Sequence, residues 1–232
     1  HSSPPLWGCP MTDALNDIGV PLKLRAQHEM LFPTPVLQGS VPDCDMLNRR
    51  LAEAVQARRD SADGLGRSNV GGWHSDTDMT GWGGAAALRL SDLAIRAARR
   101  MSHFDDRSPD SLRWWVRMWA NVCPPGALNM SHAHPGVLWA AVYYVDDGCE
   151  PGEVEGGELF LEDPRYPVPF LTFPGFRAMM PDGQPQPVEH RITPRIGDLV
   201  VFPGYMRHGV RPHRGSRDRV SVAMNIYAAP NG

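Results

Sequence analysis

Three histidines are the residues of this sequence whose spacing is suited to chemistry. His132 and His134 stand two apart in Ser131-His132-Ala133-His134-Pro135-Gly136. On an extended strand, residues two apart point to one face, so both imidazoles reach the same metal ion. Imidazole suits iron, zinc, copper and nickel alike, so the pair leaves the metal open. In a chain with nine histidines, two surface side chains two apart are the plain alternative. A third histidine changes the balance. Gly197-Asp198-Leu199-Val200-Val201-Phe202-Pro203-Gly204-Tyr205-Met206-Arg207-His208 reads as a turn, an apolar strand and a second turn ending on His208. A buried strand that ends on a polar residue delivers that residue to a barrel mouth. His132, His134 and His208 are therefore the candidate metal ligands and catalytic residues.

Eleven residues after His208 the chain reads Arg219-Val220-Ser221-Val222-Ala223-Met224-Asn225-Ile226. Period-2 alternation puts Val220, Val222, Met224 and Ile226 on one face and Arg219, Ser221, Ala223 and Asn225 on the other. A guanidinium grips a carboxylate through two parallel hydrogen bonds, and Ser221 adds a hydroxyl, so this face suits an anion in a cavity. A solvated outer face is the competing reading for Arg219 and Ser221 taken alone.

The elements that must position these residues change character along the chain. Asp43 to Asp60 reads as a helix, with Asp43 and Asp45 as capping residues and Leu47, Leu51 and Val55 on one face. A second helix is predicted between about Leu90 and Met101 from the stripe Leu90, Leu93, Ala94, Ala97 and Met101. Ser61 to Gly84 between them, rich in Gly, Ser and Asp, reads as a long loop carrying Trp73, His74 and Trp82. From Leu112 short Val-, Trp-, Tyr- and Phe-rich runs alternate with Gly, Pro and Asp, the pattern of a β-sandwich or barrel. Strands are predicted at Trp114 to Val122, Val137 to Val145, Glu158 to Glu162, Asp198 to Phe202 and Arg219 to Tyr227. Pro164 to Pro194 reads as an inter-strand excursion able to fold over a site. Helices first and strands afterwards give an α+β class.

Composition limits the function classes. The 232 residues are 42% hydrophobic and 21% charged, which describes a globular chain of one domain, expected over 11–232 with its β core at about 112–228. His1 to Pro10, ahead of Met11, which reads as the native start, is expected to be a non-native addition outside that domain. The formal net charge of −3 provides no field that would draw the protein to nucleic acid. With no apolar stretch of spanning length and no export signal in view, neither a membrane nor a nucleic-acid partner is expected, and the cytoplasm is the expected compartment. Cys9, Cys44, Cys123 and Cys149 form no C-x-x-C pair and are expected to be reduced.

The order H-x-H-P-G, Val142-Tyr143-Tyr144-Val145, Gly156-Gly157-Glu158-Leu159-Phe160, Asp163-Pro164-Arg165, G-D-L-V-V-F-P-x₄-H and R-V-S-V-A-M-N resembles the Fe(II)/2-oxoglutarate-dependent oxygenase superfamily. More narrowly it is similar to a bacterial subgroup of such oxygenases, distantly similar to the prolyl hydroxylases. The resemblance covers about Trp114 to Asn225, and more loosely Phe32 to Pro35 and Gly72 to Ser75. It implies a double-stranded β-helix, a jelly-roll or cupin-like barrel flanked by N-terminal helices. It also implies Fe(II) as metal, 2-oxoglutarate as cosubstrate and O₂ as oxidant. By it, His132 and His208 take the places of the two family histidines, Arg219 and Ser221 hold the distal carboxylate of 2-oxoglutarate, and Tyr144 reaches the same group, with Asn225 beside them as a cofactor-binding candidate. The implied outcome is hydroxylation, through a ferryl oxidant, of an amino acid, a peptide or a carrier-bound small molecule. Trp73, His74, Trp139 and Arg165 are the candidate substrate contacts, an arginine at the mouth being suited to a carboxylate or phosphate. A homodimer is compatible with this reading.

His134 departs from the family pattern, which places Asp or Glu there. Either it ligates as a third neutral imidazole, or it turns away and leaves a position for water or halide, or Asp146, Glu158 or Asp163 supplies a carboxylate. The competing readings are a cupin-type three-histidine dioxygenase or isomerase that uses no 2-oxoglutarate, and a non-catalytic metabolite-binding barrel.

Overall fold

The computed structural model describes residues 23–153 and 156–231; His1 to Pro10 and Cys9 lie outside them. Two antiparallel sheets share the strands. The first has six, in the order β1 (Leu37–Ser40), β9 (Asp198–Pro203), β6 (Trp139–Asp146), β11 (Arg219–Pro230), β4 (Leu112–Cys123), β3 (Trp73–His74). The second has five, in the order β2 (Asn69–Val70), β5 (Leu128–His132), β10 (His208–Val210), β7 (Leu159–Glu162), β8 (Glu189–Ile192). Helices α1 (Asp45–Ser61) and α3 (Gly84–Arg100) precede most of the strands, with the one-turn α2 (Met79–Trp82) before α3 and the short α4 (Val168–Thr172) between β7 and β8. This is the expected α+β class and double-stranded β-helix. The sheets also recruit β1, β2 and β3, all from before Leu112.

Alternation along the central strands sorts side chains into two layers. Trp139, Ala141, Tyr143 and Val145 of β6, with Val222, Met224 and Ile226 of β11, pack against Leu51 and Val55 of α1 and Ala87, Leu90, Ala94 and Ala98 of α3. The small residues on α3 let the helix lie close to the sheet. The intervening residues of β6, Ala140 and Tyr144, join Val200, Phe202, Leu159, Leu161 and Ile192 in a second core between the sheets. A cavity opens at one end of this inner layer. Helix α1 locks to the outer layer through a buried hydrogen bond from the Tyr143 hydroxyl to Asn48 Oδ1, 2.7 Å.

Residues 61–84, expected as a loop, contain β2, β3 and α2, and α3 begins six residues before the predicted Leu90. The glycines that suggested a loop serve close packing: a Cβ on Gly83 would stand 2.7 Å from both the Ala87 Cβ and the Met79 carbonyl oxygen. Met79 itself is fully buried. The excursion after β7 likewise carries α4 and the edge strand β8. Among the described residues, no helix is long and apolar enough to cross a membrane.

Candidate metal and cosubstrate site

Strand pairing brings the histidines together. His208 opens β10 directly opposite His132 at the end of β5, and their ring centroids are 4.4 Å apart. His134 lies just past β5, where its backbone N–H donates to the Gly204 carbonyl oxygen, 2.9 Å, and Gly204 N–H returns a bond to the Leu138 carbonyl oxygen, 3.1 Å. A Cβ on Gly204 would collide with the Val137 backbone. That bare glycine lets the turn carrying His134 rest on the turn leading to His208. One nitrogen from each of the three rings lies within 4.8 Å of the other two.

The outward nitrogens fix the tautomers. His132 Nδ1 faces the Met130 carbonyl oxygen at 2.8 Å, and His208 Nδ1 faces the Met206 carbonyl oxygen at 2.9 Å. His134 Nδ1 is bonded to Asn225 Oδ1. All three acceptors are oxygens, so each Nδ1 carries the proton and each Nε2 keeps its lone pair. Such outer partners orient metal-binding imidazoles and raise their basicity. His134 Nε2 is buried with no protein partner, an orphan acceptor of the kind that metal ligation would satisfy. Burial first, then the neighbouring His132 charge, pushes the His208 imidazole down to about 3. His132 and His134 are also lowered, chiefly by desolvation. The rings are therefore neutral at pH 7, as a ligand must be. Asp146 pairs with Arg217 at 2.8 Å and Asp163 with Arg165 at 2.9 Å, and neither they nor Glu158 joins the three histidines. Among the described residues the set is three imidazoles, and it fits a first-row divalent ion.

The cavity beside them measures about 630 Å³. The wall built by the six-stranded sheet is polar because one register row crosses four strands: His74 opposite Asn121, Asn121 opposite Ser221, Ser221 opposite Tyr144. All four line the cavity. Arg219, two residues before Ser221, is 1% exposed and has no carboxylate partner among the described residues. It donates to the Gly157 carbonyl oxygen, 3.0 Å, and to Cys123 Sγ, 3.4 Å, while its Nε finds no acceptor. The Tyr144 hydroxyl is equally buried and unpartnered. Burial, against the opposing pull of Arg219, pushes that phenol up to about 12. A guanidinium, a phenol and a hydroxyl, the first two with orphan donor atoms, amount to a cradle for an anion, while the orphan atom of Asn121 is its acceptor Oδ1.

His213 stands behind Arg219. It is 2% exposed; its Nε2–H donates to the Arg217 carbonyl oxygen at 2.8 Å, and its Nδ1 has no partner. Both Nδ1 and Arg219 Nε lie within 3.5 Å of where a Cβ on Gly157 would be. Neither His213 nor Asn121 was singled out from sequence. Asn121 could have been found by registering β4 on the polar face of β11, whereas nothing local marks His213.

The substrate candidates divide. His74 lines the cavity, and Trp119 lies between it and His134, with ring centroids 5.5 and 5.9 Å away. Trp139 is corrected: it points to the opposite face of β6, packs on the helices and donates to Ser102 Oγ at 2.9 Å. Trp73 is corrected for the same reason, being one residue out of phase with His74 and bonded to the Ala62 carbonyl oxygen at 3.2 Å. Arg165 is held away by both oxygens of Asp163. The arginine at the mouth is Arg67.

Residues 117–225 match the family model described as "Putative 2OG-Fe(II) oxygenase". The matched stretch, just under half of the chain, is similar to the 2OG-Fe(II) oxygenase family. It contains all the residues of the three-histidine site and of the anion cradle. Among solved structures, a prolyl-4-hydroxylase from Pseudomonas putida superposes with TM-score 0.55 and 22% identity, covering 86% of this chain and 94% of that one. A prolyl hydroxylase from Trichoplax adhaerens, in complex with a hypoxia inducible factor oxygen degradation domain peptide fragment, gives 0.56, 14%, 83% and 83%. HygX from Streptomyces hygroscopicus, with nickel and 2-oxoglutarate bound, gives 0.54, 14%, 85% and 84%. At such identities the likeness carries the fold. No curated protein matches the chain by sequence.

Proposed function

We propose that this chain acts as a single oxygenase domain in which His132, His134 and His208 hold Fe(II) while Arg219, Ser221 and Tyr144 hold the distal carboxylate of 2-oxoglutarate. The substrate oxidised is a small molecule or a peptide, and hydroxylation is the outcome. When bound, the metal and cosubstrate together supply the activation of dioxygen, with 2-oxoglutarate decarboxylated to succinate.

The observation that carries this reading is the buried Arg219 guanidinium without an acid partner, in the same cavity as three imidazoles whose Nε2 lone pairs converge. An unpaired buried cation is strongly unfavourable unless a ligand completes it. A cupin-type metalloenzyme that uses no cosubstrate has no use for Arg219, and the family match weighs against that alternative too. The protein's part is positional. Asn225 and the Met130 and Met206 carbonyls hold the ring protons on Nδ1, Arg219 sets the depth of the dicarboxylate, and Trp119 walls the cavity beside His134.

The test is an anaerobic titration with Fe(II) and then 2-oxoglutarate, read by visible absorbance on wild type and His134→Ala. A charge-transfer band in wild type, with iron affinity at least tenfold weaker in the variant, supports the three-histidine oxygenase. Iron binding with no response to 2-oxoglutarate would refute it.

A further inference from the structure

Beyond the three histidines the cavity runs to a mouth bounded by Arg67, Ser68, His74 and Thr77. The backbone places these residues closely. Strand β2 pairs with β5, and the Met130 N–H donates to the Ser68 carbonyl oxygen at 2.8 Å, so 67–68 continue alongside 130–131. His132 is two residues further along β5, an offset of about 7 Å at the usual strand rise. Ser68 is braced by Asn129 Nδ2, which donates to its Oγ at 3.3 Å. Across the mouth, His74 Nδ1–H donates to the Ser75 carbonyl oxygen at 2.5 Å, which leaves the ring's Nε2 as an acceptor. The Arg67 charge is felt there, being one of the influences that hold the His74 imidazole below its ordinary value after burial, the largest.

The charges are unbalanced. Among the described lining residues there is no Asp or Glu, and Arg67 and Arg219 are the two fixed cations. Arg67 is exposed and its guanidinium has no carboxylate partner among the described residues. Neutral imidazoles leave a divalent ion's charge intact, where a carboxylate ligand would cancel part of it. A dianionic cosubstrate offsets the metal, and two guanidinium charges remain in a partly desolvated space where charge pairs interact more strongly than in water.

We propose that the mouth is a carboxylate-binding subsite for the oxidised substrate: Arg67 forks onto the acid, Ser68 supplies a hydroxyl, and His74 Nε2 accepts from a donor near that acid. The substrate is thus a small carboxylic acid of amino-acid size, entering with its acid toward Arg67 and its reacting carbon toward the histidines. This rests on the oxygenase reading and deepens it. It also assigns Arg67 as the residue that determines specificity, in the role expected from sequence of Arg165.

The test compares N-acetyl amino acids with their carboxamides as probes, titrated by calorimetry into Fe(II)-loaded protein under argon, with and without 2-oxoglutarate, for wild type, Arg67→Gln and Arg67→Lys. At least one acid is expected to bind tenfold or more tightly than its amide in wild type. The preference disappears in Arg67→Gln and partly returns in Arg67→Lys, which keeps the charge and loses the fork. Arg67 is exposed, so both variants fold. No acid binding, equal binding of acid and amide, or a preference that survives in Arg67→Gln overturns the subsite. A tenfold loss of 2-oxoglutarate affinity in Arg67→Gln overturns it as well, by assigning Arg67 to the cosubstrate. Failure of 2-oxoglutarate to bind wild type is a separate result that removes the oxygenase reading, while the acid and amide pair still decides the subsite.

Discussion

Asn225 Oδ1 accepts the Nδ1 proton of His134, joining the central strand β11 to the turn after β5 across ninety-one positions of chain. The bond selects the tautomer that turns the His134 lone pair inward. Losing such a partner typically weakens metal affinity by roughly 10- to 100-fold. Asn225→Leu is therefore expected to reduce Fe(II) or Co(II) affinity within that range, measured against a competing chelator. Asn225→Asp, which keeps the acceptor and adds charge, should bind metal at least as tightly as wild type. Equal affinities for all three proteins would dismiss the bond as incidental.

Acid should destabilise the metal-free protein well before its carboxylates titrate. The folded-state value of His208 is about 3, and an unfolded histidine titrates near 6.5. Between these values the unfolded chain binds a proton that the folded chain refuses, so the stability contribution is complete above about pH 6.5 and is lost as pH falls toward 3. His132 and His134 are shifted in the same direction. Urea unfolding of the metal-free protein from pH 7.5 to 4.5 should show stability declining with acid, and His208→Leu should flatten the decline. A slope that the variant leaves untouched would refute the assignment to this histidine.

Arg219→Met should separate stability from binding. The arginine is a buried cation without an anion, and apolar replacements of buried ionic groups are often neutral or stabilising. The thermal midpoint of the ligand-free variant is expected to equal or exceed that of wild type. Its 2-oxoglutarate affinity should fall about tenfold to a hundredfold, the scale of charge-assisted hydrogen bonds at about 1.5–3 kcal/mol. In wild type, 2-oxoglutarate at a hundred times its Kd should stabilise by about 2.7 kcal/mol, and at the same concentration this gain should shrink to roughly 0.4–1.4 kcal/mol in the variant.

Much of this architecture is legible in period-2 patterns, because a strand with one face on helices and one on a cavity writes both environments into alternate residues. Val220 to Ile226 and their partners Arg219, Ser221 and Asn225 occupy the two faces that alternation assigns. At Trp139 alternation alone does not decide the layer. Trp139 obeys the same alternation, but an aromatic residue fits either layer, and only pairing with Ile226 of β11 places it on the helix side. Residues 61–84 were misread for a different reason: glycine signals both turns and tight packing, and only the contact of Gly83 with Ala87 separates them. Arg67 was hidden within that same segment. His213 was invisible because its role depends on a space left by Gly157, fifty-six residues away.

That space is itself testable. Gly157 has φ +70°, and a Cβ there would stand 3.3 Å from Arg219 Cδ and 3.4 Å from His213 Nδ1. Gly157→Ala adds backbone strain and crowds both side chains, while leaving the three histidines untouched. We expect 2-oxoglutarate affinity to drop about tenfold, near 1.4 kcal/mol, with metal affinity preserved. His213→Phe, which removes the orphan nitrogen from behind the guanidinium, should act in the same direction. If both variants bind the cosubstrate as wild type does, the pair plays no part in positioning Arg219.

Tyr143 and Tyr144 are chemically identical neighbours on opposite faces of β6, and their hydroxyls should behave as opposites. The Tyr143 hydroxyl donates to Asn48 Oδ1 within the helix layer. Tyr143→Phe leaves that amide oxygen buried without a donor, an expected loss of about 1–3 kcal/mol, with no change in ligand binding. The Tyr144 hydroxyl has no protein partner in the cavity beside Arg219. Tyr144→Phe therefore removes an unsatisfied polar group and should leave the ligand-free protein as stable or more stable, while 2-oxoglutarate binds several-fold more weakly. Chemical denaturation and the cosubstrate titration, run on both variants, should show stability lost with affinity kept for Tyr143→Phe, and stability kept with affinity lost for Tyr144→Phe. If Tyr144→Phe behaves like Tyr143→Phe, losing stability and keeping affinity, then Tyr144 belongs to the core and the cradle is smaller than the cavity implies.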